Sequence, residues 1–344
     1  MKSWEMGEKE FLLALHEKLG NSGFGWRDDC IEKRINPDMS FVYSIDSAHR
    51  WISHKRQNSS KIFGRWVASA IAGDVIACGV NPKGLSLDIG VDAFQNEDEL
   101  FNFIDGVLDV CAHYGMNYEG GNLNRSSLVC GISWGTSVPN KIIHRDGAQN
   151  NSILLATAYI GLGWTIELIQ SLDELQKMDM PQRFLYDIEH YKDNPVINIE
   201  AFRKIWELNV IDCGMDLTDG IIEFGYEICD RTGLGVVLSP CEPHPLVEYV
   251  ASFLKITPTD IMFEPGYDTP FSHGWCVKKD NLDVVLKVLR QYNVPVTILG
   301  EVTNTVSGVF RKTDAGLMAL PRYWDDKLRN ETAYDHWVKN ILGR

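Results

Sequence analysis

The chain has 344 residues, 44% hydrophobic and 23% charged, with 33 Lys and Arg against 47 Asp and Glu. That length exceeds what one core usually supports, so two domains are expected from ordinary globular material. A net charge of −14 without a Lys/Arg run argues against a nucleic-acid partner, and no apolar stretch of about 18 residues exists to span a bilayer.

In chain order, strand and helix signals alternate. Residues 8–19 carry apolar side chains at 11, 12, 15 and 19, a helix face that Gly20-Asn21-Ser22-Gly23 ends. Residues 41–45 read as a strand running into Asp46, and 65–78 as a helix closed by Gly79 and Pro82. A strand over 85–91, a helix over 97–114 and a strand over 128–136 follow. The turn-rich residues 139–151 make the domain boundary, giving domains 1–150 and 151–344. The second begins with a strand over 153–160, then Gly161-Leu162-Gly163 and a helix. It continues with a helix over 221–231, a strand over 235–238, a helix over 282–292 and a strand over 296–299. The fold class is α/β or α+β. Residues 1–8 lack an apolar signal core, and the eight cysteines show no C-x-x-C spacing. A cytoplasmic protein with reduced thiols is expected, without a zinc ribbon.

Four separated stretches set aspartate at a break in apolar sequence: Asp28-Asp29, Asp46, Asp74, and Asp216 with Asp219. Buried carboxylates are costly unless paired, and Mg²⁺ pairs them through oxygen while bridging to phosphates. So acidic a chain repels ATP, so a nucleotide site here needs metal ions as mediators. Asp74 is the sharpest candidate, because its helical neighbours Ala70, Ile71, Ala77 and Cys78 are small or apolar and none is basic. The competing reading is a frayed helix end in water. Asp46 ends a strand, where ligands collect in open α/β sheets, or is a plain turn residue. Asp28-Asp29 follow a Gly-rich lead-in that either cradles phosphate or is a solvated loop. Thr218 or Asp219 suits the N-cap of the helix near 221, which explains one of the two acids; a helix N-terminus also attracts phosphate. Gly120-Gly121-Asn122 resembles the same kind of site with an amide for the acid. Arg145 is either a phosphate clamp or a surface arginine.

The order of these motifs says more than any one of them. Gly7-Glu8, Asp28-Asp29-Cys30, Ser44-Ile45-Asp46, Asp74 through Pro82, Gly120-Gly121-Asn122, Arg145-Asp146-Gly147-Ala148 and Asp216 through Gly220 succeed one another. In this the chain resembles thiamine-monophosphate kinase, of the aminoimidazole-ribonucleotide-synthetase (AIR synthase) superfamily. The resemblance covers almost the whole length, through Ile298-Leu299-Gly300-Glu301-Val302 and the tail Tyr334-Asp335-His336-Trp337. It implies a homodimer whose N-terminal halves form a shared β-barrel flanked by helices, with ATP in a cleft near that interface. The C-terminal half is then an α/β layer over the site. Residues matching Asp29, Asp46, Asp74, Asp216 and Asp219 bind Mg²⁺, with Asp46, Asp74 and Asp219 assigned to catalysis. Gly121, Asn122, Arg145 and Thr218 contact the nucleotide. The family often reads Gly-Gly-Asp, so Asn122 supplies a neutral oxygen.

The departures lie on the acceptor side. The family's substrate histidine, seven residues beyond Asp46, is Ser53 here, with His54 beside it and His49 nearer. The Gly-Gly-Glu-Asp-Tyr-Glu segment becomes Glu264-Pro265-Gly266-Tyr267-Asp268-Thr269-Pro270-Phe271. The candidates for acceptor contact are His49, His54, Asp268 and Trp337. The expectation is an ATP- and Mg²⁺-dependent kinase acting on a small molecule other than thiamine monophosphate, with no membrane partner. Two alternatives stand beside it, an ATP-dependent synthetase that releases free phosphate and a nucleotide-binding partner without turnover.

Overall fold

A computed structural model describes residues 14–15, 17–18, 28–49, 59–176, 178–263, 272–322 and 337–343. The chain divides into two units, one of residues 29–143 and 166–209, the other of residues 1–28, 144–165 and 210–344. The turn-rich stretch 139–151 contains the crossing at 143/144, while residues 166–209 return to the first unit. The helix expected over 8–19 lies mostly outside the described residues.

The first unit is built on strands β1 (Ile31–Asn36), β2 (Met39–His49), β3 (Pro82–Gly90), β4 (Asn117–Asn124) and β5 (Leu128–Ser137). They form one sheet in the order β1-β2-β5-β3-β4, with β3 and β4 parallel and the other pairs antiparallel. Helix α1 (Ser60–Ala77) packs on β2, β5 and β3, and α2 (Glu97–Tyr114) packs on α1. The Ser59 side chain caps α1 by accepting from the Ile62 N–H at 3.2 Å, satisfying one of the donors a helix start leaves open. The two helices approach closely at paired glycines. A Cβ on Gly64 would lie 2.0 Å from the Phe103 carbonyl oxygen, and one on Gly106 1.9 Å from that of Lys61.

Alternation along the strands decides which sheet face is covered. Val42, Ser44 and Ala48 of β2, with Val129 and Ser133 of β5, are buried on the α1 side. Tyr43, Ile45, Ile132 and Trp134 alternate with them, and Ile45 is 63% and Ile132 40% exposed. The barrel expected from the resemblance is therefore, in this chain, an open sheet. Closing it would take strands from another chain, because β1 and β4 remain its edges.

Helix α3 (Leu162–Ser171) carries the chain from the second unit into the first, followed by α4 (Asp173–Gln176), α5 (Gln182–Asp193) and α6 (Ile199–Leu208). This returning segment is pinned by Arg203, which donates to Asn81 Oδ1 at 2.6 Å and to the Tyr114 carbonyl at 2.9 Å. The buried Tyr114 hydroxyl accepts from the Ile197 N–H at 2.9 Å.

The second unit contains β6 (Ser152–Ala156), β7 (Ile211–Asp216), β8 (Gly235–Leu238), β9 (His273–Lys278), β10 (Thr297–Thr303), β11 (Val309–Thr313) and β12 (Gly316–Ala319). Their order is β12-β11-β8-β10-β6-β9-β7, with only β8 and β11 parallel. Helices α7 (Gly220–Thr232), α8 (Pro245–Leu254), α9 (Pro258–Met262) and α10 (Leu282–Gln291) accompany the sheet.

Candidate functional site

In the first unit, two acids foreseen from sequence meet on the α1 side of the sheet, and a third, Asp46, lies on the same face. Asp74 sits in the last turn of α1, half-buried, and accepts a hydrogen bond from the Ser44 hydroxyl of β2. It does not face open water. Asp29 and Asp74 bring carboxylate oxygens within 4.8 Å of each other, and the Asp29 Oδ2 atom is shielded from solvent. Cys30 and Cys78, beside these acids, belong to a buried cluster with Val42, Val75, Val80 and Ile142. The Cys30 thiol is pushed well above its ordinary value, first by burial, then by Cys78, then by the charges of Asp74 and Asp29.

Asp46 does not end its strand. β2 continues to His49, because β5 keeps pairing past it, Asp46 opposite Gly131 and His49 opposite Leu128. Asp46 therefore sits within the strand, half-buried, two residues from Ser44 and on the same face. Carboxylate oxygens such as those of Asp29 and Asp74, which lie within 4.8 Å of each other, are the donors that Mg²⁺ prefers, so these residues fit that ion.

Gly121 and Asn122 stand elsewhere. The segment expected as a break is strand β4, with Gly121 opposite Leu87 and Asn122 opposite Asp88. From β2 to β4 there are three strand steps, about 14 Å at the usual spacing. Asn122 and Asp46 of one chain are thus too far apart to hold a single ion. Asp88 was not foreseen from sequence. It alternates with Leu87 and Ile89, as a solvated strand acid does, and only the β3–β4 register reveals its partners.

In the second unit, Asp216 closes β7, and the Thr218 hydroxyl donates to its Oδ2. Asp219 takes the N-cap position of α7, yet its side chain makes no capping hydrogen bond, so the structural explanation available for one acid is not used by it. Arg145 is no surface residue. Its side chain is 17% exposed and lies 3.5 Å from Glu227, while its backbone N–H donates to Asp28 Oδ1 at 2.9 Å. Asp28 Oδ2 also meets His144 Nδ1 at 2.9 Å. Burial alone would raise the Asp28 carboxyl. The His144 side chain and then the Arg145 N–H outweigh it and hold the group below the usual aspartate value. The adjacent pair Asp28-Asp29 is therefore divided between the units.

Helix α7 extends this network. Arg322 makes a two-pronged contact with the buried Glu223, at 2.9 and 2.5 Å, and reaches Asp230 at 2.6 Å. Glu227 binds Arg231 at 2.9 and 2.5 Å. The network thus ties the Arg145 loop to the helix that begins at the Asp216–Asp219 turn.

Trp337 is corrected from substrate contact to core residue. It is fully buried, its Nε1–H donates to the Asp260 carbonyl at 2.8 Å, and its ring meets Trp164 edge-on at 6.0 Å. The His49 side chain, His54 and Asp268 lie outside the described residues.

Residues 27–136 match the family model for AIR synthase related protein, N-terminal domain. A thiamine-monophosphate kinase of Methanospirillum hungatei is 29% identical over 218 residues, 62% of this chain and 68% of the relative. One from Synechococcus elongatus is 25% identical over 182 residues, 50% of this chain and 53% of the relative. A crystal structure of thiamine monophosphate kinase from Aquifex aeolicus superposes with a TM-score of 0.72 at 17% identity, covering 93% of this chain and 100% of that one. Residues 27–136 are thus similar to that N-terminal domain, and the chain has the fold of the thiamine monophosphate kinase it superposes on. Along the matched residues the chain is similar to thiamine-monophosphate kinases.

Proposed function

We propose that this protein is an ATP- and Mg²⁺-dependent kinase that transfers the γ-phosphoryl group to a small molecule other than thiamine monophosphate. The observation that carries the reading is the approach of Asp29 and Asp74 within 4.8 Å, in a chain whose relatives are thiamine-monophosphate kinases. A related solved structure is complexed with AMPPCP and TMP. In this reading Asp29, Asp46 and Asp74 of the first unit and Asp216 and Asp219 of the second bind Mg²⁺, with Asp46, Asp74 and Asp219 nearest the chemistry. The ions would supply charge neutralisation for the triphosphate and alignment for an in-line transfer. The protein's own part is positioning. Ser44 fixes one oxygen of Asp74, and Thr218 fixes one of Asp216, so each carboxylate presents its other oxygen in a set direction. Arg145 is held near its place by Glu227 and the Asp28 contact, and Thr218, Gly121 and Asn122 complete the nucleotide contacts.

The substrate side, His49, His54 and Asp268 with Ser53 in the family's histidine position, departs from the family pattern, which is why a different acceptor is proposed. The open sheet face of Tyr43, Ile45, Ile132 and Trp134 supports a homodimer, since contiguous apolar surface of this kind marks an interface. The decisive experiment is incubation with Mg-ATP and a metabolite extract, followed by mass spectrometry for a gain of one phosphoryl group and a parallel assay of free phosphate. A phosphorylated product other than thiamine diphosphate supports the proposal. Robust turnover of thiamine monophosphate refutes the acceptor assignment, and stoichiometric free phosphate points to a synthetase instead.

A further inference from the structure

The turn that carries Arg145 lies outside any helix or strand, so no regular ladder fixes it. Its backbone groups are satisfied one by one, from two distant parts of the chain. Asp28 supplies two bonds. Its Oδ1 accepts from the Arg145 N–H and its Oδ2 meets His144 Nδ1, both at 2.9 Å. Strand β7 supplies the others. The Gly214 N–H donates to the His144 carbonyl at 3.3 Å, and the buried Cys213 thiol donates to the Arg145 carbonyl at 3.1 Å. The turn runs so close to β7 that a Cβ on Gly147 would fall 1.8 Å from the Asp212 carbonyl oxygen. Two side chains therefore grip the backbone of Arg145 from both sides, Asp28 at its N–H and Cys213 at its C=O. All these residues belong to the second unit.

We infer that Asp28 and Cys213 are positioning residues for Arg145, which fix its backbone so that the guanidinium meets the nucleotide's phosphates from a set origin. The inference rests on the nucleotide reading above and deepens it. An arginine side chain carries much rotamer freedom, and a binding group must be held close to its productive geometry by the residues that support it. The two adjacent acids then have separate tasks. Asp28 serves the phosphate arm, and Asp29 serves the metal.

The test is calorimetry of the full chain with Mg²⁺ and the non-hydrolysable ATP analogue AMPPCP. Asp28→Ala should weaken the analogue by about 10-fold, the scale of one hydrogen bond to a charged group. Cys213→Ala should weaken it by about 3-fold, because a thiol is a weaker donor. Asp28→Asn keeps an acceptor for the Arg145 N–H and Cys213→Ser keeps a donor for its C=O, so each should recover most of the affinity. In an Arg145→Ala background neither alanine substitution should weaken the analogue further, since both act through that side chain. Wild-type affinity in Asp28→Ala overturns the inference; where that variant does not fold, wild-type affinity in Cys213→Ala does so. Equal losses with and without Arg145 overturn it too, and make the two residues supports of the fold alone. Wild-type affinity in Arg145→Ala removes the arginine from the nucleotide contacts and overturns the inference as well. Wild-type protein that binds no analogue overturns the nucleotide reading itself, and the inference with it.

Discussion

Asp74→Asn should make the protein more stable and inactive at once. The carboxylates of Asp29 and Asp74 approach within 4.8 Å. Two unit charges at that distance repel by about 1 kcal/mol in bulk water and about 3.5 kcal/mol at an effective dielectric near 20. Both residues are half-buried, which places the repulsion between those limits. The substitution removes one charge and keeps the packing, because an amide oxygen still accepts the Ser44 hydrogen bond. A gain of about 1–3 kcal/mol in Mg²⁺-free buffer follows. The wild type should close that gap as Mg²⁺ is added, by linkage between ion binding and folding. The variant should not respond, and its ATP turnover should be lost. Amide hydrogen exchange in α1 across a urea series, with and without EDTA, reads this unit by itself. A variant less stable than wild type in EDTA would refute the repulsion argument and reassign Asp74 to structure. An equal Mg²⁺ response in both proteins would refute the metal assignment.

Glu223→Ala strands the Arg322 guanidinium, whose two-pronged partner is buried; it should cost about 3–5 kcal/mol of stability in the second unit, and a loss below about 1 kcal/mol would show that Asp230 and Glu227 suffice. Asp28→Asn should cost about 1–2 kcal/mol at neutral pH, the worth of hydrogen bonds to a charged group. The folded-state value of Asp28 is depressed, so its contribution is complete above about pH 4 and disappears as pH falls through the lower folded value; unfolding free energies of the two proteins that fail to converge in acid contradict this. Gly121→Ala should destabilise by more than about 1 kcal/mol, visible as faster amide exchange along β4, since the new methyl meets the Leu87 carbonyl. Unaltered exchange would mean that β4 can shift to make room.

One candidate acid was legible because a local period exposed an anomaly. Asp74 stood out because a 3.6-residue repeat of small apolar residues leaves no ordinary reason for a carboxylate there, and α1 does bury that face. Its neighbour Asp29 lies 45 positions away in sequence, and nothing local announces that the two meet. Asp46 was read as a strand end because apolar alternation stops at Ile45; continued pairing with β5 carries β2 four residues further than the side chains suggest. Gly120-Gly121-Asn122 read as a break for the same reason, since glycine and asparagine are poor strand formers. The parallel partner β3 overrides that preference. The surface alternative for Arg145 and the substrate reading of Trp337 fail for a different cause. A turn-rich loop and a chain tail look exposed in sequence, and long-range contacts with Glu227 and Asp260 bury them. Helices α5 and α6 return to the first unit through contacts such as Arg203 with Asn81, 122 positions apart, which no window of sequence contains.

The strand register bears on the alternative of a nucleotide-binding partner without turnover, whose motives were the changed acceptor segment and the amide at position 122 where the family often has an acid. In a strand pair, loss of a charge at one position is offset when the directly opposed residue supplies one, because cross-strand side chains stand about 5 Å apart. Asp88 is that residue, in register with Asn122 and bonded to it. The sheet therefore keeps a carboxylate one strand away, bonded to the amide nitrogen.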